Sequence, residues 1–354
     1  MARPTLEDVA RLAGVSRSTV SRVINRQPGV APAQRRSVQW AIAELDYRPH
    51  LAARALASGR ADAVDLVILD DDPDALSANP HYARVIAGMV KALAGKDVRL
   101  QIRLSPASRP ARHGVAGSSE LAEVGGDDLA AGGSTMRADG LGIRDLAVGG
   151  LGAVLVNVPP ELASQLRRRY GWIVSMGRSA PRISSIEPDN ADGGRLAVHH
   201  LHRGGRRRIA VIGGPESNPC AVDRREGGLR AIRDAGLEPL LGNGDFTAAT
   251  AERLTRQLVA EHPDVDAVFA ACDMTAAGAL RALAATGRRV PDDVAVVSFD
   301  DGVIAASLGL TSVRQTVEAN AAAAARMVLA RDGSRVMVPV SLTVRDSSGH
   351  HGDA

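Results

Sequence analysis

The chain is 354 residues long with 45% hydrophobic content, a globular composition whose length exceeds one ordinary core and calls for two or three domains. Its only cysteines, Cys220 and Cys272, are too far apart to form a disulfide framework, and its opening MARPTLEDVARLAG matches neither a secretory apolar run nor a spanning helix, which implies free thiols and a cytoplasmic location. The net charge of +3 is uneven: residues 1–60 hold ten arginines against four acidic residues, +6, and the remainder carries −3, so cationic phosphate-binding potential is concentrated at the N-terminus.

In chain order, Thr5 can cap a first helix that carries Asp8 in its first turn and Leu6, Val9, Ala10 and Ala13 on one face. Gly14 supplies a left-handed stop, and Ser16 can cap a second helix from Arg17 to about Asn25. There Val20, Val23 and Ile24 face inward and Arg17, Ser18, Ser21 and Arg22 outward. After the break at Gln27, Pro28 and Gly29, a third helix from Pro32 adds Val38, Ala41, Ile42 and Leu45 to the same core. Three such helices read as a small bundle or as a helix-turn-helix unit.

TLEDVARLAGVSRSTVSRVIN, followed by ELDYRPHLAARALASGR, resembles the DNA-binding head and hinge of the lactose-repressor (LacI/GalR) family almost continuously over residues 4–60. The resemblance implies that Arg17, Ser18 and Arg22 read base edges in the major groove, a task suited to bidentate arginine and amphoteric serine. It also implies that Thr5, Ser16, Thr19, Ser21 and Asn25 hold phosphates. Ala53 and Leu56 fall in its hinge helix, where a leucine wedge enters the minor groove. His50 stands where the family usually has asparagine, a better helix cap.

From Asp62 onward, VDLVIL, RLQIRL, GAVLVN, WIVSMG, RRIAVIGG, DAVFAA and DVAVVSF read as buried strands, with helical spacing between several of them, as in parallel βαβ units. PDNADGGRLAVHHL, GLRAIRDAGL, DAVFAACDMTAAGALRAL and RVPDDVAVVSFDD resemble successive blocks of the same family's effector domain, which is similar to periplasmic sugar-binding proteins. Ligands of open α/β sheets sit beyond the strand carboxyl ends. Asp273 and Asp300 each follow a strand, and Arg224 matches a family arginine; together they suit a hydroxyl-rich ligand. Asn79 and Tyr82, in a stretch similar to the family's NPF segment, would supply the other lobe, and Phe246 an apolar face. Three departures stand out: Cys272 replaces a common asparagine, Thr316 replaces the proline of a VRQP segment, and residues 105–150 are rich in Gly, Ala, Ser and Asp and lack a clear helix.

The expected fold class is α/β: a three-helix helix-turn-helix head (1–48), a hinge helix (49–60) and a two-lobed, doubly wound, periplasmic-binding-protein-like core (61–346). Chain crossings are expected near 178–183 and 300–320, with a tail at 347–354. VMVPVSLTV reads as the last strand, with no heptad-bearing tail after it, so a homodimer is expected. The expected function is a repressor on a pseudo-palindromic operator under control of a sugar-like effector, or alternatively an activator or a ligand-independent regulator. No cofactor, metal, membrane partner or enzymatic role is expected. His199, His200 and His202 lack a further ligand at sensible spacing, Asp70, Asp71, Asp72 and Asp74 lack the rest of a calcium loop, and no nucleophile or phosphate-loop motif stands out. A solute-binding protein would share the core but not the head.

Overall fold

The computed structural model describes residues 5–24, 29–45, 63–70, 74–105, 121–123 and 150–349. They belong to two compact units, one up to residue 62 and one from Ala63, each with its own core. Asn25, His50, Ala53 and Leu56 lie outside the described residues, as does most of 105–150.

In the head, α1 (Leu6–Ala13) begins with a reciprocal cap: Thr5 Oγ1 accepts the Asp8 amide at 3.3 Å and the Asp8 carboxylate accepts the Thr5 amide at 2.9 Å. Gly14, at φ 64°, ends it in the left-handed conformation. α2 (Arg17–Ile24) begins behind Ser16, whose Oγ accepts the Thr19 amide at 3.1 Å. α3 (Pro32–Glu44) opens on a proline, whose missing N–H costs nothing in the first turn. Val9, Val20, Val38 and Ala41 are fully buried between the three helices, with Ala10 and Val23 beside them.

The larger unit runs through β1 (Ala63–Leu69), α4 (Ala75–Ala78), α5 (Pro80–Leu93), β2 (Arg99–Ser105), β3 (Leu121–Glu123), β4 (Gly152–Val156), α6 (Pro160–Tyr170), β5 (Ile173–Met176) and β6 (Ser184–Pro188). It continues with α7 (Asn190–Arg203), β7 (Ile209–Ile212), α8 (Pro219–Asp234), β8 (Leu240–Gly242), α9 (Ala248–Glu261), β9 (Ala267–Ala270), α10 (Asp273–Ala285), β10 (Ala295–Asp300), α11 (Val303–Ser307) and β11 (Thr311–Arg314). It ends with α12 (Val317–Ala330), β12 (Arg335–Val338) and β13 (Ser341–Thr343).

The first lobe is a parallel sheet ordered β12-β6-β5-β4-β1-β2, and the second is ordered β13-β11-β10-β9-β7-β8-β3, antiparallel only at its two edges. Helices cover both faces, which is why the central strands read as unbroken apolar runs. Leu66 and Ile68 of β1 face the cluster that holds Val85 and Met89 of α5 and Ala321 and Val328 of α12; Val67 and Leu69 face Leu162 and Leu166 of α6. In the second lobe, Val211, Phe269 and Val297 face α7 and α8, and Ile212, Val268 and Val296 face α9 and α10.

The first crossing between lobes lies between β6 and α7, at 188–190, not at 178–183, because the polar segment Ser184–Pro188 adds one more strand to the first sheet. The return falls between β11 and α12, at 314–317. VMVPVSLTV is two strands rather than one: β12 joins the first sheet and β13 the second, with Pro339, which has no donor for a ladder, in the third crossing. The core also extends past 346, since Ser347 and Ser348 are buried and Ser347 Oγ donates to the Val296 carbonyl at 2.6 Å. Among the described residues no helix is long and apolar enough to cross a membrane.

Candidate DNA-reading helix and interlobe cleft

On α2 the side chains of Arg17, Ser18 and Arg22 are exposed, as the inward-facing Val20 and Val23 require. Arg17 Nη1 lies 3.0 Å from Glu7 Oε1 of α1, an exposed pair that water or phosphate can replace at little cost. Ser16 Oγ is shared with Ser18 Oγ at 2.8 Å and Thr19 Oγ1 at 2.9 Å, so the helix starts with a cluster of hydroxyls. Thr5 is exposed, and Thr19 and Ser21 are half-buried.

In the core, the ends of the strands from both lobes face a cleft holding about 930 Å³ of empty space, open solvent included. All six residues expected at an effector site line it: Asn79, Tyr82, Arg224, Phe246, Asp273 and Asp300. They have different roles. Arg224, on α8, is buried; its Nε donates to Asn190 Oδ1 at 2.9 Å and its Nη1 to the Ala271 carbonyl at 2.7 Å and Asp300 Oδ1 at 3.3 Å. Its guanidinium carbon stacks 3.7 Å from the Phe299 ring centre. Its backbone is held by a close helix crossing, where a Cβ on Gly194 would come within 2.1 Å of the Arg224 carbonyl and one on Gly227 within 2.0 Å of the Ala191 carbonyl.

Asp300 takes a positive φ of 111°, and Asp301 follows at 49°. Gln315 Nε2 also donates to Asp300 Oδ1. Among the described residues, Asp300 Oδ2 and Arg224 Nη2 make no hydrogen bond, which leaves an acceptor and a charged donor for ligand hydroxyls. The Phe246 ring, also at positive φ, packs against Gly214, whose added Cβ would lie 2.3 Å from it.

Asp273 has a different task. Its Oδ1 accepts from Ser298 Oγ at 2.7 Å and Ser312 Oγ at 2.9 Å, and its Oδ2 accepts the Gly302 amide at 2.7 Å, so it ties together β10, β11 and the loop after β10. Burial, with the Asp300 charge second, raises its pKa to about 6. Tyr82 is 1% exposed, and its hydroxyl donates to Asp70 at 2.6 Å and accepts from Asn157 Nδ2 at 2.7 Å. Asn79 caps α5, accepting the His81 amide at 3.0 Å. Cys272 caps α10, its Sγ accepting the Thr275 amide at 3.4 Å, and burial pushes the thiol up to about 12.

Sequence reasoning missed His81, Arg84, Asn157, Gln315 and Asn320, all in the cleft wall. His81 and Arg84 lie one turn apart on α5, flanking the apolar stripe of Tyr82, Val85 and Met89. Burial pulls the His81 pKa down, against the pull of Asp300, and its ring makes no hydrogen bond among the described residues.

Residues 5–50 match the profile of the bacterial regulatory proteins of the lacI family, and residues 198–348 match a periplasmic binding protein-like domain. The HTH-type transcriptional regulator CelR of Thermobifida fusca is 37% identical over 348 residues, 97% of this chain and 96% of that one. The solved complex of the transcriptional regulator CelR with cellobiose superposes with a TM-score of 0.67 at 34% identity, covering 98% of this chain and 100% of that one. The Lac repressor dimer bound to operator and the anti-inducer ONPF superposes equally well, at 0.67, over 98% of this chain and 99% of that one; at 24% identity that likeness concerns the fold. This chain belongs to the LacI family of bacterial transcriptional regulators, with a helix-turn-helix DNA-binding head and a periplasmic-binding-protein-like core.

Proposed function

We propose that the protein is a cytoplasmic transcriptional repressor that binds a pseudo-palindromic operator as a homodimer and responds to a neutral, hydroxyl-rich ligand of sugar type. Residues 1–48 read DNA through Arg17, Ser18 and Arg22, with Thr5, Ser16, Thr19, Ser21 and Asn25 on phosphates, and 49–60 form the hinge, with Ala53 and Leu56 in the minor groove. The observation that carries the ligand reading is the juxtaposition of Arg224 and Asp300, each with a polar atom left over, in a cleft that also holds the Phe246 ring. Fixed donors and acceptors beside an apolar face discriminate hydroxyl stereochemistry, and buried polar atoms left unpaired reject the wrong epimer. The relation to CelR, solved with cellobiose, makes that disaccharide the first probe.

Selection of the purified protein on a randomised DNA pool at stated salt, repeated with cellobiose and a panel of other sugars, tests the reading. A palindrome whose central step becomes insensitive to sequence on Leu56→Ala, bound with an affinity that one sugar changes, is the expected result. The ligand must bind the two conformations unequally to have that effect. Enrichment of no site would refute the DNA-reading role; a site that no sugar affects would refute the effector role.

A further inference from the structure

Arg84 lines the cleft from the first lobe, and its guanidinium is divided between lobes. Nε donates to Glu318 Oε1 at 2.7 Å and Nη2 to Glu318 Oε2 at 3.1 Å. This fork grips a residue of its own lobe, since α5 and α12 pack together on the first sheet. Glu318 thus fixes the direction of the guanidinium, as bidentate carboxylate pairing does. The remaining arm points across the cleft: Nη1 donates to the Asp300 carbonyl of the second lobe at 3.2 Å, and Nη2 reaches the Gln315 carbonyl in the return crossing at 3.5 Å.

The carbonyl it holds belongs to the most strained stretch of the cleft wall. Asp300 and Asp301 are consecutive non-glycine residues at positive φ, a geometry that persists only where surrounding contacts over-determine it. Four of those contacts come from the second lobe itself. The Asp301 amide donates to Ser312 Oγ at 3.0 Å and the Gly302 amide to Asp273 Oδ2 at 2.7 Å, while the Asp301 carboxylate accepts from Thr343 Oγ1 at 2.8 Å and Arg345 Nη2 at 2.6 Å. Arg84 is the contact from the opposite lobe. Asp300, whose Oδ2 makes no hydrogen bond among the described residues, lines the cleft with Arg224, and the first strand after the head, β1, belongs to the first lobe.

We infer that Arg84 is an interlobe positioning residue: held by Glu318, it fixes the backbone of Asp300 from the first lobe and transmits the state of that residue between the lobes. This rests on the reading of the cleft as the effector site for its functional consequence, but not for the mechanical one. Whatever displaces Asp300 must move or break the Arg84 contact, and whatever separates the lobes must release Asp300. An interaction of this kind acts by differing between two conformations, which is what coupling requires.

Hydrogen exchange of the full-length, ligand-free protein tests the mechanical claim. Arg84→Gln is expected to raise exchange in peptides spanning 301–306 by roughly tenfold through easier local opening, with β1 and β7 unchanged. Arg84→Lys, which keeps the charge but cannot serve Glu318 and the carbonyl as one planar fork, is expected to fall between, and it replaces the glutamine variant if that one does not fold. Unchanged exchange at 301–306 in a folded variant overturns the inference. Cellobiose titration of wild type and Arg84→Lys then tests the consequence. If wild type binds the sugar, the variant is expected to bind about tenfold more weakly with a smaller sugar-induced change in operator affinity, and equal responses overturn the coupling. If wild type does not bind it, the cellobiose reading fails while the exchange result still decides the role of Arg84.

Discussion

Arg224 Nη1 lies 3.3 Å from Asp300 Oδ1, and the two side chains are 6% and 16% exposed. Burial makes the pair costly to break, because removing one member leaves the other largely desolvated and without its counter-charge.

Arg224→Ala is therefore expected to destabilise the core by about 3 kcal/mol, from the unpaired Asp300 and the lost stacking on Phe299. Asp300→Asn keeps an acceptor for both Arg224 and Gln315 and is expected to cost about 1 kcal/mol. Both should weaken sugar binding. Urea unfolding of the two variants checks the order; equal losses would mean that the pair is not the organising contact of the site.

The crossing of α7 and α8 makes a sharper claim about the backbone beneath that site. A methyl group on Gly194 or Gly227 meets a carbonyl oxygen at about half a normal contact distance, and a carbonyl inside a helix cannot move aside as a flexible side chain would. Gly194→Ala or Gly227→Ala should cost roughly 2–3 kcal/mol, against about 1 kcal/mol of stabilisation that Gly→Ala gives in an unhindered helix. A gain in melting temperature would show that the helices are farther apart than described.

What could be read in the sequence follows from which physical signals are local. Six of the seven apolar runs lie in strands buried almost throughout, as strands covered on both faces must be largely apolar, whereas RLQIRL forms the edge strand β2, most of which is exposed or half-buried. Ser184–Pro188 carries no such run, and its strand is visible only once β5 and β12 flank it. The site residues divide in the same way. Asp300 could be placed from the end of its apolar strand, whereas Arg224, inside α8, is reached only through the family resemblance. Tyr82, Val85 and Met89 form an apolar stripe that the sequence shows, whereas no local signal singles out His81 and Arg84, on the flank of that stripe, as cleft residues. No local signal would have shown that Asp273 is occupied. Its two hydroxyl partners, Ser298 and Ser312, are neighbours only through the register of β10 and β11.

The head offers a test that separates reading from holding. Arg22→Ala should relax the selected site at one base position and weaken binding roughly tenfold, as loss of a bidentate base contact does. Thr5→Ala should weaken binding to all sequences alike and also loosen α1, whose cap it removes, by about 1 kcal/mol. Selection on a DNA pool by each variant distinguishes these outcomes; uniform weakening by Arg22→Ala would make Arg22 a phosphate contact.

Asp273 makes stability depend on pH in a direction opposite to most acids. Its pKa in the folded protein, about 6, lies above its ordinary 3.8, because burial and the Asp300 charge outweigh the three donors it accepts from. Between those values the native state holds a proton that the unfolded chain has released. Its contribution is therefore present below about pH 4 and is lost as pH rises through 6, with a slope of up to about 1.4 kcal/mol per pH unit. Asp273→Asn has no such titration. Unfolding of both proteins in urea from pH 4.5 to 7.5 should show the stability of the variant rising relative to wild type up to about pH 6 and running parallel above it. Curves that run parallel throughout would mean that the serine hydroxyls and the Gly302 amide stabilise the carboxylate enough to cancel its burial, and that the loop carrying Asp300 is anchored by an ordinary anion.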